Sequence, residues 1–162
     1  VAVALKSVEK DKMKKRGVQP EDMAREINML YKSRGCQYIT ELRDSFEDGE
    51  AHYLALEYCE GGDFGDKLRE RRDALEEYEA CHYMRMILLA IEFLHDKTIL
   101  HRDIKPDNFM LSDHTLGAKL KLSDFGLAIQ LPARDAVLKD KCGTPAFMSP
   151  EQHELPRSRG YS

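Results

Sequence analysis

No stretch of this 162-residue chain is long and apolar enough to cross a bilayer; the best candidate, Met86 to Leu94, is interrupted by Glu92. The opening residues, Val1 to Lys6, lack the charged, apolar and small-residue layout of a secretory leader. They also lack an initiator Met, so the chain is expected to begin partway into something longer. There is no excess of positive charge: 25 basic residues face 29 acidic ones, a net charge of −4, which argues against a general nucleic-acid binder. None of the four cysteines (Cys36, Cys59, Cys81 and Cys142) forms a C-x-x-C pair, which argues against a structural zinc site. Thiols without a leader point to a reducing compartment, and the cytoplasm is the expected location. Internal repeats and low-complexity tracts are absent. With 42% apolar and 33% charged residues, the composition is that of a globular protein and not of a disordered one.

What is present falls into two parts of different character. Val1 to Ser7 reads as a short strand. The basic cluster that follows (Lys6, Lys10, Lys12, Lys14, Lys15, Arg16) is interrupted by Glu9 and Asp11 and ended by Pro20. It reads as a solvated loop, with a nuclear-import signal or anion patch as the alternative. A helix is predicted after Pro20, because Met23, Ile27, Leu30 and Tyr31 recur at helical spacing, with Glu21 and Asp22 in the first turn and Gly35 to end it. Two strand-like runs, 38–46 and 52–58, flank Asp48-Gly49, a hairpin signal. Gly61-Gly62 then breaks the pattern. Short and long helices are predicted over 64–71 and 76–95, the longer with a Cys81, Met84, Leu88, Ile91, Leu94 face. Brief apolar runs at 109–111 and 120–122 precede a loop-like stretch from Asp124 onward. Strands with one helix, then helices and loops, predict an α+β protein of two lobes, 1–60 and 61–162.

Three motifs carry chemistry: His101-Arg102-Asp103-Ile104-Lys105-Pro106-Asp107-Asn108, then Asp124-Phe125-Gly126, then Gly143-Thr144-Pro145 followed by Ser149-Pro150-Glu151. In this order they resemble the serine/threonine type of eukaryotic protein kinase, over nearly the whole chain. The resemblance implies a two-lobed fold, ATP and Mg²⁺ as cofactors, and a protein substrate with a Ser or Thr acceptor. Phosphoryl transfer asks for positioning, metal ions and charge compensation more than covalent chemistry. Asp103 is then the carboxylate that orients the substrate hydroxyl and accepts its proton, and Lys105 the cation for the γ-phosphate. Asn108 and Asp124 offer the oxygens that suit Mg²⁺. Val3-Ala4-Leu5-Lys6 resembles the strand whose lysine holds the α- and β-phosphates, with Glu26 as its helical partner. Taken singly, each of these is an ordinary surface charge; together they point to one site.

The same resemblance makes 54–59 the segment that reads adenine. Leu56 is its gatekeeper, the Glu57 carbonyl and the Cys59 backbone are hydrogen-bonding groups, and Ala4 and Met110 sandwich the ring. Leu30, Leu42, His101 and Phe125 form an apolar stack. Lys105 and Thr144 go with aliphatic hydroxyl acceptors. Asp63 and Asp107 stand where related kinases bind basic side chains upstream of the acceptor; as ordinary surface acids they would have no such role.

Some features depart from the pattern. The glycine-rich phosphate-covering loop would lie before Val1, and the family's large-lobe helical core after Ser162. The piece alone is therefore expected to be weakly active or inactive and marginally stable. A non-catalytic scaffold of kinase fold is the competing class; the intact Lys6, Glu26, Asp103, Asn108 and Asp124 favour the enzyme. Ser149 replaces the usual Ala. The stretch 127–142 contains no Ser, Thr or Tyr, so phosphorylation there is chemically impossible. Asp140 sits where related kinases carry a phosphorylated residue, and it is expected to pair with Arg102; Asp135 is a second candidate. No oligomeric state is legible.

Overall fold

Burial alternates along Val3–Glu9 (β1), with Ala4, Lys6 and Val8 turned inward and Val3, Leu5 and Ser7 outward, as the two-residue period of a strand requires. The computed structural model of the chain describes residues 2–15, 17–71, 75–155 and 159–162. Val1 of the predicted first strand and Arg16 of the basic cluster lie outside the described residues. β1 runs two residues past its predicted end and leads directly into a helix, Lys10–Lys15 (α1), where a loop was expected. Met13 accounts for the difference. Helical winding puts this one apolar side chain of the turn into the core at 5% exposure and leaves Lys12, Lys14 and Lys15 in water.

The next helix, Pro20–Lys32 (α2), starts at its proline with acidic residues in the first turn, where the helix dipole favours them. Its buried face consists of Met23, Glu26, Met29 and Leu30. Tyr31, predicted on that face, is 60% exposed. Eight residues of helix turn it about 80° from Met23, away from a face centred on Glu26. The Arg34 guanidinium covers its ring at 4.7 Å.

Leu42–Glu47 (β2) and Ala51–Glu57 (β3) form the predicted hairpin, and Asp48 accepts from the Glu50 and Ala51 amides at 2.8 Å to close the turn. β3 is central in the order β1-β3-β2, all antiparallel. Residues 38–41, predicted within the first hairpin strand, turn away to meet Leu122: its amide donates to Tyr38 O at 2.8 Å and its carbonyl accepts from Thr40 N at 2.9 Å. That link ties the first sheet to a second.

The second sheet is built from Gly62–Asp63 (β4), Phe109–Leu111 (β6) and Leu120–Leu122 (β7), in the order β4-β6-β7. Gly61 precedes it because a Cβ there would lie 2.2 Å from Asp113 O. Phe64–Glu70 (α3) follows β4, and Glu77–Asp96 (α4) is the long predicted helix. Its face differs from the prediction. Met86, Ala90 and Leu94 are buried, whereas Met84 and Leu88 are 52% and 56% exposed and Cys81 is exposed. At about 100° per residue Glu77, His82, Arg85, Glu92, His95 and Asp96 fall on one side of α4, and Met86, Ala90 and Leu94 lie opposite them; the predicted set, centred near Met84 and Leu88, overlaps that polar side, and β7 packs against the helix. Ile99–Leu100 (β5) pairs with Ile129–Gln130 (β8), and Pro150–His153 (α5) is a single turn. One continuous apolar cluster joins α2 and β3 to α4, β6 and β7. Among the described residues no helix is long and apolar enough to cross a membrane.

Candidate active site

The inward face of β1 delivers Lys6, and the buried face of α2 delivers Glu26, whose side chain is only 7% exposed. Lys6 Nζ lies 2.7 Å from Glu26 Oε1 and 3.0 Å from Asp124 Oδ1. Burial alone would lower the Lys6 pKa, but the two carboxylates outweigh it and hold the ammonium above its usual value. Burial likewise pushes Asp124 up; Lys6 and the Gly126 amide outweigh it, and the carboxyl sits below its ordinary value. Asp124 has a left-handed backbone, φ 57°, directly after β7. Its neighbour Phe125 is fully buried and meets His101 edge-on at 5.0 Å. Leu30 and Leu42 are buried as well. His101 is held neutral by burial and contacts Ser123 O through Nε2 at 3.0 Å, as a packing residue would.

Asp103 stands in the loop between β5 and β6, and four donors converge on it. Oδ1 accepts from Thr144 N at 2.9 Å and Thr144 Oγ1 at 2.7 Å. Oδ2 accepts from Asn108 Nδ2 at 3.0 Å and pairs with Lys105 Nζ at 2.9 Å. Lys105 Nζ also donates to Thr144 Oγ1 at 2.8 Å. Burial pushes the Asp103 carboxyl up, but these bonds prevail and keep it ionised below the ordinary carboxylate range. The threonine arrives after Gly143, whose φ is 102° and where a Cβ would sit 2.5 Å from Arg102 O; only glycine fits so close an approach.

Asn108 is 6% exposed, and its amide nitrogen is engaged by Asp103, so its amide oxygen is the group that can face a cation. Ser123 N donates to Asn108 O at 2.8 Å, which fixes the Asn108 backbone beside the residue preceding Asp124. Among the described residues there is no cluster of three or more His, Cys, Asp or Glu able to cage a metal. One carboxylate and one amide oxygen nevertheless suit Mg²⁺, which takes its remaining ligands from phosphate and water. A cavity of about 470 Å³ opens between Lys6, Glu26, Asp103, Asp124 and Gly126.

At the other end of the cleft, Ala4 is opposite Leu56 in the β1–β3 register and Met110 lies opposite Lys121 in β6–β7. Glu57 ends β3. Cys59 is buried, and its carbonyl already accepts from Gly62 N at 3.2 Å. The predicted substrate acids both have internal partners. Asp63 caps α3 by accepting from Asp66 N at 2.8 Å; Asp107 accepts from Arg69 Nη1 at 2.7 Å, and Arg69 Nη2 reaches Asp66 at 2.6 Å. Arg102 donates to Asp140, whereas Asp135 is an exposed loop residue.

Sequence reasoning missed Lys121. It is 8% exposed between the fully buried Leu120 and Leu122, and its Nζ lies 2.9 Å from Glu57 Oε2, tying the end of β3 to β7, two residues before Asp124. A lysine flanked by leucines in a short buried run was the available signal. Tyr161 was missed too, and nothing in its local sequence marks it.

A family model described as protein kinase domain matches residues 1–162. Among curated proteins, the chain is 35% identical over 149 residues to a CDPK-related kinase 1 of Arabidopsis thaliana, covering 92% of this chain and 26% of that protein. It is 37% identical over 137 residues to death-associated protein kinase dapk-1 of Caenorhabditis elegans, covering 85% and 9%. With CBL-interacting serine/threonine-protein kinase 2 of Arabidopsis thaliana it shares 34% over 152 residues, covering 93% and 32%. The chain thus spans at most about a third of the length of these relatives.

Proposed function

The chain belongs to the protein kinase family, and from that membership we propose that the protein carrying it transfers the γ-phosphate of ATP, with Mg²⁺, to serine and threonine hydroxyls of proteins. The observation that carries this reading is the ring of donors around Asp103. Thr144 and Lys105 close on the carboxylate and keep it ionised where it lines the cavity shared with Lys6 and Asp124, which suits a base for an aliphatic hydroxyl. Lys6, kept in place by Glu26, orients the α- and β-phosphates, and Lys105 faces the γ-phosphate. Asn108 and Asp124 would hold Mg²⁺, which supplies charge neutralisation on the transferring group. Ala4, Met110, the Glu57 carbonyl and the Cys59 backbone bind the base. The protein works in the cytoplasm, with the nucleus as the alternative.

The test is phosphate incorporation from ATP into Ser, Thr and Tyr peptides by the protein that carries this chain. Lys6→Met should lower transfer to Ser and Thr peptides about a hundredfold or more, because an oriented cation at the phosphates is lost. Transfer to Tyr alone, or none from the parent under any Mg²⁺ concentration, would overturn the reading.

Preference for basic residues upstream of the acceptor depends on Arg69. While it occupies Asp107, a substrate guanidinium must displace it. Arg69→Ala should therefore lower KM a few-fold for peptides with an upstream Arg and leave KM for Ala-substituted peptides unchanged; equal effects on both peptides would show that Asp107 does not read the substrate.

A further inference from the structure

Lys121 stands in the middle of β7 between two fully buried leucines and is itself 8% exposed. An ammonium so placed is stable only beside a compensating charge. Among the described residues one carboxylate, that of Glu57, is within ion-pair distance, with Oε2 2.9 Å from Lys121 Nζ. Neither side chain enters the chemistry proposed above.

Glu57 is the last residue of β3, and its carbonyl is one of the groups proposed to bind the base. Its amide donates to Glu41 O at 2.8 Å; beyond it the chain leaves the strand for Tyr58 and Cys59. The Cys59 thiol, 3.9 Å from the Glu57 carbonyl, is too weak a donor to orient it. The carboxylate is the stronger anchor: Oε2 takes the Lys121 ammonium and accepts from the Glu41 amide at 3.3 Å. Lys121 reaches the opposite wall of the base site through its backbone. It is the register partner of Met110 in the β6–β7 pair, and directly opposite residues of an antiparallel pair share a face. β7 is tied in turn to 38–41, where Thr40 N donates to Leu122 O at 2.9 Å. One residue thus joins the strand end that meets the edge of the base to the strand pair that meets its flat side.

We propose that Lys121 is a positioning residue for adenine recognition: it holds the Glu57 carboxylate so that the Glu57 carbonyl keeps the direction needed to accept from the amino group of the base, at a fixed separation from Met110. The proposal rests on the kinase reading above. The amino group is the donor by which adenine differs from a purine that lacks it, and a site built to hydrogen-bond a group rejects the analogue without it. Lys121 should therefore govern which base is bound and not how phosphate is transferred.

The experiment measures by titration calorimetry the binding of ADP, and of purine riboside diphosphate, its analogue without the amino group, to the protein that carries this chain. The parent should bind ADP about three- to tenfold more tightly than the analogue, the worth of one hydrogen bond. Lys121→Met should bring that ratio to within about twofold, while Lys121→Arg, which keeps the cation, should retain most of it. Glu57→Asp, which keeps both charges but withdraws the carboxylate by one methylene, should also lower the ratio. Both nucleotides are compared on one preparation, so a variant that is merely less folded loses affinity for both alike and leaves the ratio unchanged. Saturating ATP should return the transfer rate of Lys121→Met to nearly the parent's. If Lys121→Met does not fold, Glu57→Asp decides alone. A parental ratio in the variants that fold, or a parent that binds both nucleotides equally well, would overturn the proposal and leave the kinase reading standing. A parent that binds neither nucleotide would overturn the kinase reading itself.

Discussion

Asp124→Asn should reduce phosphoryl transfer about a thousandfold while leaving the fold intact. The substitution replaces a carboxylate oxygen by a neutral one at the proposed Mg²⁺ ligand, and charge compensation is the largest contribution a kinase site makes. Asn tolerates the left-handed backbone at φ 57° as well as Asp does, so the turn into Phe125 survives. Lys6 keeps Glu26 as its partner. The distinguishing readout is the Mg²⁺ dependence: the variant should require much more Mg²⁺ for the rate that remains, with a melting temperature near the parent's. An unchanged rate with an unchanged Mg²⁺ requirement would remove Asp124 from the metal site.

Asp103→Asn should lower kcat by a factor of about 10² to 10⁴, the range for loss of a positioned general base, with KM for ATP nearly unchanged. Here stability should fall as well. Both oxygens of Asp103 accept from N–H donors, so an amide NH₂ necessarily faces one of them, and an unsatisfied donor costs about 1–3 kcal/mol. The pH dependence has a definite sign. The pKa values of Asp103 and Asp124 are depressed in the folded chain, so the stability they contribute is complete above the unfolded carboxylate range, about pH 4, and is lost as pH falls through the lower folded values. Between about pH 5 and 7 neither group should impose an acid limb on kcat. A limb in that window that disappears with a change at Asp103 would mean that the carboxyl is not held ionised by Thr144, Lys105 and Asn108.

How much of this was legible beforehand depended on the kind of contact. β6 and β7 were readable to the residue, because each is a short apolar run bounded by polar turns. The hairpin was readable through Asp48-Gly49, whose turn chemistry is local. The buried face of α4 was misread although it was legible: Met86, Ala90 and Leu94 lie opposite the side that carries Arg85, Glu92, His95 and Asp96, whereas Met84 and Leu88, equally apolar, border that polar side. Tyr31 was misplaced in the same way, by an inferred face rotated away from the true one. At the site, motif spacing put Asp103, Lys105, Asn108 and Asp124 on one list, and Lys6 with Glu26 at 20 residues' separation was found the same way. What spacing does not contain is which charges neutralise one another across the fold. Lys121 with Glu57, Arg69 with Asp107, and Tyr161 with Asp140 each join residues at least 21 positions apart, and no motif holds both members of a pair.

The close approach of Gly143 to the Arg102 carbonyl has a genetic consequence. A position that bears no side chain would behave in a saturation screen as if it were catalytic. Any Cβ there must push the loop off Arg102 O, and with it the Thr144 amide and hydroxyl off Asp103. Loss-of-function alleles at 143 would therefore cluster with those at 103, yet spare the Lys6–Glu26 pair, which lies far from the disturbance in sequence and on other elements. On the proposed function, such alleles would yield proteins that still bind ATP but do not pass its phosphate on, the class most apt to act dominantly over a normal copy.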